Sequence, residues 1–305
     1  MSKEASWSEY WANEGTSGEV FVDKKGNKHP YLSEFWSKYL SQSKDNAKVI
    51  DLACGGGSIF ADNIKHDTQF QLYAVDISAQ ALSQLNSRMP EVTTIESSVS
   101  NIPLESGSFD LVVSQFGIEY AGESAFVEAV RLMAEESQLV VLCHVEDGFI
   151  DSKNQTELQG VELLKSTNFI NKAIAVTTAC YNNDEVVFQQ KYKEFIAIEP
   201  EIAIWVKKYK QGLVSHCYFG FRKMYERKNN YHLSDIIDWL EAMKSEQKMT
   251  LVRVTEMRQA AQSERQVESI CDVLSQSGLS DVRCVPFMLP EQVLPLAWCI
   301  TGNKK

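Results

Sequence analysis

No stretch of these 305 residues approaches the roughly 18 apolar residues of a membrane span, and no apolar signal core follows the first residues, MSKEASWSEYW, which predicts a cytoplasmic protein. The five histidines make no pair at metal-ligand spacing, and the seven cysteines (54, 143, 180, 217, 271, 284 and 299) include no C-x-x-C, so no metal site is expected. An odd number of widely spaced cysteines predicts reduced thiols. Positive charge is scarce: 30 Lys and Arg stand against 41 Asp and Glu, for a net charge of −11. Such a balance opposes approach to a polyanion and excludes DNA and RNA as expected partners. Internal repeats and low-complexity tracts are absent. What remains is a globular chain with 44% hydrophobic residues, longer than one minimal α/β domain requires.

The most informative segment is KVIDLACGGGS at residues 48–58. Val49 to Leu52 predict a buried strand, and three successive glycines leave the following turn without side chains, so a ligand can approach its main chain. A helix predicted over 58–66 aims its free N–H groups at the same place and favours polar or anionic ligand atoms. A dinucleotide-binding turn needs a third glycine where this chain has Phe60, which disfavours a nicotinamide dehydrogenase. The pattern acid–x–small–x–Gly–x–Gly is met instead by Asp51, Ala53, Gly55 and Gly57. A second strand over 70–76 ends in Asp76, nineteen positions after Gly57, followed by the loop and strand NIPLESGSFDLVVSQF at 101–116.

In that order these pieces resemble the class I S-adenosylmethionine-dependent methyltransferases, and most of all the small-molecule branch of the ubiquinone and menaquinone biosynthesis methyltransferases. The resemblance covers 47–145 well and 263–302 in outline. It implies S-adenosylmethionine as cofactor, with Gly55 and Gly57 under its methionine part, Ala53 in the same turn, Asp51 anchoring the amino group and Asp76 on the ribose. Ser98 and Val99 fall where the family reads the adenine. The usual acid is missing there, so Ser98 offers only a neutral hydrogen bond, and Asn101 is a substitute. Gln115 and Phe116 correspond to the lip where the sulfonium meets the acceptor. The family's Lys-Pro-Gly-Gly before the fifth strand is replaced by AEESQLVVL. Each element also has a plain reading: the glycines as an ordinary α/β turn, and Asp76 as the N-cap of the helix SAQALSQLNSRM.

Strands are expected at 48–53, 70–76, 92–96, 109–115 and 138–145, with helices at 58–66, 78–88 and 121–135, as in a doubly wound, seven-stranded, mostly parallel sheet. From 147 to 262 strand alternation gives way to helical spacing in 158–180, 199–212 and 233–246, a helical insertion. Ser263 and Gln266 then form a capping box, Val267, Ile270, Cys271 and Leu274 a helix face, and Gly278 a stop. Strands at 281–288 and 296–302 close the sheet as an antiparallel pair. The expected organisation is an N-terminal helical cap (1–46), a core (47–146 and 263–305) and a lid and acceptor-binding insertion (147–262), the last of which also reads as a passive oligomerisation element.

Methyl transfer needs alignment and exclusion of water, with a base only if the acceptor keeps a proton. His144, at the end of LVVLCHVED, is the candidate base; its plain reading is a histidine bonded to a backbone carbonyl. Glu119 and Tyr120, after the fourth strand, face the acceptor or simply begin a helix. Trp7, Tyr10 and Trp11 share one helix face that either covers the cofactor, meeting its sulfonium, or packs in the core. Lys207, Lys208, Lys210, Arg222, Lys223, Arg227 and Lys228, interleaved with Tyr209, Tyr218, Phe219, Phe221 and Tyr225, suit an anionic or aromatic acceptor, or a helix pair with solvated basic faces. The expected function is methyl transfer to a small molecule, with a cofactor-binding sensor or scaffold that lacks transfer activity as the alternative.

Overall fold

The computed structural model describes residues 29–61, 70–290 and 292–305. Trp7, Tyr10, Trp11 and the second half of the helix expected over 58–66 lie outside them. Two compact units are formed, one running to Asp151 and resuming over Gln259–Lys305, the other Ser152–Arg258.

The first unit is built on one seven-stranded sheet: β1 (Lys48–Leu52), β2 (Gln71–Asp76), β3 (Thr93–Glu96), β4 (Phe109–Gln115), β5 (Met133–Cys143), β6 (Leu279–Phe287) and β7 (Ala297–Lys304), in the order β3-β2-β1-β4-β5-β7-β6. Strands β1 to β5 pair in parallel, and β7 runs antiparallel to both β5 and β6. Near-continuous apolar runs suit strands covered on both faces, because each residue has a core to enter whichever way it points. Val49, Leu111, Val113, Val140 and Leu142 enter one core; Ile50, Val112, Leu139 and Val141 enter the other. Leu32, Trp36 and Leu40 of α1 (Pro30–Gln42) and Leu82 and Leu85 of α2 (Ala79–Arg88) fill the first core. The second is filled by Phe126 and Val130 of α3 (Glu123–Leu132) and Ile270 and Leu274 of α10 (Glu264–Gln276). Helices on both faces make the sheet doubly wound, as expected.

Four details correct the sequence reading. Residues 133–135, expected to end a helix, begin β5, and the residues standing for Lys-Pro-Gly-Gly lie within that strand, with Glu136 left-handed at φ 56°. Residues 55–61 are hydrogen-bonded turn, with Ala61 N–H donating to Gly57 O at 3.1 Å. The helix expected over 158–180 is two, α4 (Phe149–Ser166) and α5 (Phe169–Tyr181), broken at left-handed Asn168, where φ is 52°. The cysteines are not all thiols: α10 packs over β6 and brings Cys271 onto Cys284, thirteen residues away, in a disulfide that linear spacing does not reveal. The capping box is present, Ser263 accepting from Gln266 N–H and Gln266 from Ser263 N–H.

The second unit is helical: the body of α4, α5, α6 (Glu185–Ile196), α7 (Glu199–Lys208), α8 (Leu213–Glu226) and most of α9 (Leu233–Ala260). Its core takes Phe169, Phe195, Ile202, Tyr218, Phe221 and Leu240. Within the basic stretch, Tyr218 and Phe221 are core residues, while Lys207, Lys208, Arg222 and Lys223 are exposed. Among the described residues no helix is long and apolar enough to cross a membrane, and no cluster of metal-ligating side chains occurs.

Candidate active site

The carboxyl ends of β1, β2, β4 and β5 carry most of the residues singled out in the sequence. Asp51 is buried in β1, and the chain then turns at Ala53, held left-handed at φ 55°, with Gly55 (50°) and Gly57 (82°) also at positive φ. A left-handed residue with a Cβ costs about 1–2 kcal/mol, so the surroundings must hold Ala53 there. They do: Cys54 N–H bonds Val75 O at 3.0 Å, and Gly57 N–H bonds Cys54 O at 2.8 Å. Gly57 serves packing as well, since a Cβ on it would strike the Leu85 side chain of α2. From α2, Arg88 donates to Gly56 O and fixes the far side of the turn.

Asp76 ends β2 almost buried and accepts Gly55 N–H at 2.8 Å on one oxygen and Ser78 N–H at 2.8 Å on the other. The helix cap is Ser78, whose hydroxyl accepts Ala81 N–H, so Asp76 is not the N-cap of α2. Burial raises the Asp76 carboxyl above its usual range, against the lowering effect of the N–H groups of Ser78, Gly55 and Ile77. Beside it, Ser97 N–H bonds Asp76 O, which brings the loop 97–101 to the same edge. Ser98 is exposed there with Asn101, whose N–H it accepts, while Val99 turns into the core.

Next to the glycine turn, β4 ends in Gln115, and Phe116 and Gly117 follow it. Phe116 is also left-handed, at φ 55°. The two turns touch at Gly117, where a Cβ would come within 2.5 Å of Ala53 Cβ and 2.7 Å of Ala53 O. Ser114, fully buried, joins them further: its hydroxyl donates to Leu52 O at 2.7 Å and accepts Ile118 N–H at 3.2 Å. Gln115 accepts the Trp36 indole N–H of α1 at 2.6 Å and donates to the Ser58 hydroxyl at 3.1 Å. Sequence reasoning missed Ser114, Trp36 and Arg88. Only Ser114 left a signal, a hydroxyl inside the otherwise buried run FDLVVSQ.

The 3-10 turn Ile118–Ala121 brings Glu119 and Tyr120 to His144, which lies one residue beyond β5. Glu119 Oε1 accepts the His144 backbone N–H at 2.8 Å and sits 2.7 Å from its Nδ1. Phe116 and Tyr120 pack on the imidazole with ring centres 4.8 and 5.7 Å away. The chain returning from the second unit is pinned here too. Gln262 N–H bonds His144 O, Glu146 N–H bonds Gln262 O, and the Trp298 indole donates to Gln262 O. The thiols nearby are inert, since burial pushes Cys54 and Cys143 well above the ordinary thiol range.

Known proteins similar to this chain in sequence are methyltransferases. Residues 49–136 match the family described as "Methyltransferase domain". The ubiquinone/menaquinone biosynthesis C-methyltransferase UbiE of Campylobacter jejuni is 30% identical over 106 residues, 32% of this chain and 45% of that protein. The chain thus spans about half the length of the curated relatives it matches. A protein of Methanococcus maripaludis, provisionally assigned as an S-adenosyl-L-methionine-dependent methyltransferase, superposes with TM-score 0.44 at 13% identity, covering 90% of this chain and 86% of that one. The geranyl diphosphate C-methyltransferase of Streptomyces coelicolor A3(2), solved with S-adenosyl-L-homocysteine, gives TM-score 0.38 at 16% identity over 47% of this chain and 65% of that one. By the family match over residues 49–136 and the partial match to UbiE, this part of the sheet unit resembles the class I S-adenosylmethionine-dependent methyltransferases of the UbiE kind.

Proposed function

We propose that the protein transfers a methyl group from S-adenosylmethionine to a small-molecule acceptor. The observation that carries this reading is the join of Asp76 to Gly55 beside the bare glycine turn, inside the segment that matches the methyltransferase domain. The donor set suits that cofactor: Asp51 and Asp76 place buried carboxylates at neighbouring strand ends, where a cationic, hydroxyl-bearing ligand gains charge-assisted hydrogen bonds. Asp51 and the turn Ala53–Gly57 would take the amino-acid end, Asp76 the ribose hydroxyls, and Ser98, Val99 and Asn101 the adenine edge. Gln115 and Phe116 would border the reacting methyl. When bound, the cofactor supplies a methyl group already activated on sulfur.

The chain's own task is to hold donor and acceptor in line and exclude water. The turns at Ala53 and Phe116 are locked together by Gly117 and Ser114, so the lip is set before a ligand arrives. We assign acceptor choice to the insertion 147–262, because it leaves the sheet unit just after β5 and re-enters at Gln262 beside His144. Its cations suit an anionic or aromatic acceptor.

Calorimetric titration with S-adenosylmethionine, S-adenosylhomocysteine and NAD tests the cofactor. The first two are expected to bind and NAD not. Incubation with methyl-labelled donor and low-molecular-weight extract fractions tests transfer; donor binding with no labelled product in any fraction would reduce the protein to a sensor or scaffold.

A further inference from the structure

We infer that His144 is a general base for an acceptor nucleophile that is a hydroxyl (an alcohol, phenol or enol), and that Glu119 is the positioning residue that makes it one; this rests on the methyl-transfer reading above. A carboxylate oxygen only accepts hydrogen bonds, so the 2.7 Å contact from Glu119 Oε1 puts the ring hydrogen on Nδ1 and leaves the lone pair on Nε2. The same oxygen holds the His144 backbone N–H at 2.8 Å, which fixes ring and main chain together. Phe116 and Tyr120 hold the ring plane.

The burial of Glu119 argues against a merely structural tie. Its side chain has no exposed surface, that of His144 is 4% exposed, and Glu119 Oε2 has no hydrogen-bond partner among the described residues. A buried polar oxygen left unpaired is costly. A glutamine could accept the same N–H groups without a charge to bury, so a carboxylate is useful chiefly if the imidazole becomes a cation. Position supplies the rest: Phe116 touches the imidazole and is followed by Gly117, which packs on Ala53 of the glycine turn. The base and the proposed donor cradle therefore share one piece of backbone.

In the step itself the acceptor oxygen bonds to the methyl carbon as the carbon–sulfur bond breaks, and that bond's electron pair stays on sulfur, which becomes a neutral thioether. The hydroxyl proton passes to His144 Nε2. The imidazolium is balanced by Glu119 and returns its proton to solvent. Among the described residues, the titratable groups at the ring are Glu119 and Tyr120 from the turn after β4 and Cys143 from its own strand, the last kept neutral by burial.

The test uses full-length protein and its His144→Asn and Glu119→Gln variants. Asparagine retains a donor for Glu119 but has no base. Histidine-labelled protein studied by nitrogen NMR is expected to show His144 as the Nδ1–H tautomer in wild type and in E119Q alike, since an amide oxygen accepts the same N–H groups, so that a fall in E119Q turnover reports the missing charge. Calorimetry with S-adenosylhomocysteine is expected to give wild-type affinity for both variants. With labelled donor and the extract fraction that wild type methylates, kcat should fall about 10²-fold or more in H144N with donor KM unchanged, and the imidazole limb of the pH profile should vanish. The product label should be released by hydriodic acid as an O-methyl ether is. An Nε2–H tautomer, equal turnover by H144N, or label fixed on carbon would each overturn the inference while methyl transfer stood. No labelled product from wild type would instead overturn the methyl-transfer reading and, with it, the base role.

Discussion

The two units bury polar groups of different kinds. Among the described residues, the sheet unit buries Asp51, Asp76, Glu119, Glu128, His144 and Asp151 along with serines, whereas the helical unit buries only Thr167, Thr177, Ser215 and Thr250. The hydroxyls of the helical unit are satisfied close by: Thr167 by Leu163 O, Thr177 by Ala173 O, Ser215 by Tyr209 O and Thr250 by Glu246. They need nothing from outside their own stretch of chain. In the sheet unit, Asp51, Asp76, Glu119 and His144 sit at or near strand ends, where the parallel ladder stops. One unit has buried charge that a ligand can use. The other has buried hydroxyls that helices use up.

The sharpest test of that contrast is a single methyl group placed in each unit. Gly117→Ala forces a Cβ to within 2.7 Å of the Ala53 carbonyl oxygen, and backbone cannot step aside as a side chain can. Overpacking of this kind costs about 1–3 kcal/mol, and relief here requires the two turns to separate. We expect a lowered urea midpoint and loss of S-adenosylmethionine binding by calorimetry. Gly160→Ala in α4 places its Cβ 2.9 Å from Val214 Cγ2 and 3.1 Å from Trp205 Cζ2, side-chain atoms and not backbone, and gains helix propensity of about 1 kcal/mol that offsets this crowding. Its midpoint should barely change. If G117A binds the donor like wild type, the joined turns are not what forms the site.

Asp76 gives the next effect in size. Asp76→Asn removes a charge-assisted contact and should weaken donor binding about 10- to 10²-fold. The same residue has a signature without ligand. Its folded pKa is raised from 3.8 by burial, so between 3.8 and the raised value the native state binds more protons than the unfolded one. Its contribution to stability therefore falls as pH rises through that window and is flat above it. Denaturation at stepped pH should show this falling component as the difference between wild type and D76N. Parallel curves would mean that the carboxyl is not shifted in the fold.

Much of this contrast was legible in the chain, and unevenly. The glycine turn, Asp76 and the seven strands could be read because apolar runs alternate with turn residues in a fixed order, and each carries local steric meaning. The Glu119 to His144 contact was not legible: both residues were singled out, but twenty-five positions separate them, and only the adjacency of β4 and β5 brings them together. Trp36 and Arg88 reach the site through side chains on helices whose sequences specify only an apolar face. The disulfide stayed hidden for the same reason, as α10 and β6 meet only after the chain reverses at Gly278. In the helical unit periodicity located helices but not their ends, because breaks such as Asn168 depend on one residue's φ.

The smallest expected effect compares one buried hydroxyl from each unit. Ser114 Oγ is shared by two main-chain groups of different segments, Leu52 O and Ile118 N–H, both at the lip. Ser114→Ala leaves those groups without that partner where Ser114 is fully buried, and an unsatisfied buried group costs about 1–3 kcal/mol. Thr177 Oγ1 donates to Ala173 O, which as a helix-interior carbonyl also accepts its own ladder bond, so Thr177→Val keeps the shape and strands nothing. Its change should stay within about 0.5 kcal/mol, with valine's added apolar contact offsetting the lost bond. Paired urea titrations measure both. Equal losses in the two variants would show that a buried hydroxyl has one worth wherever it sits, and the distinction between the strand-end network and the helical core would then be one of position only.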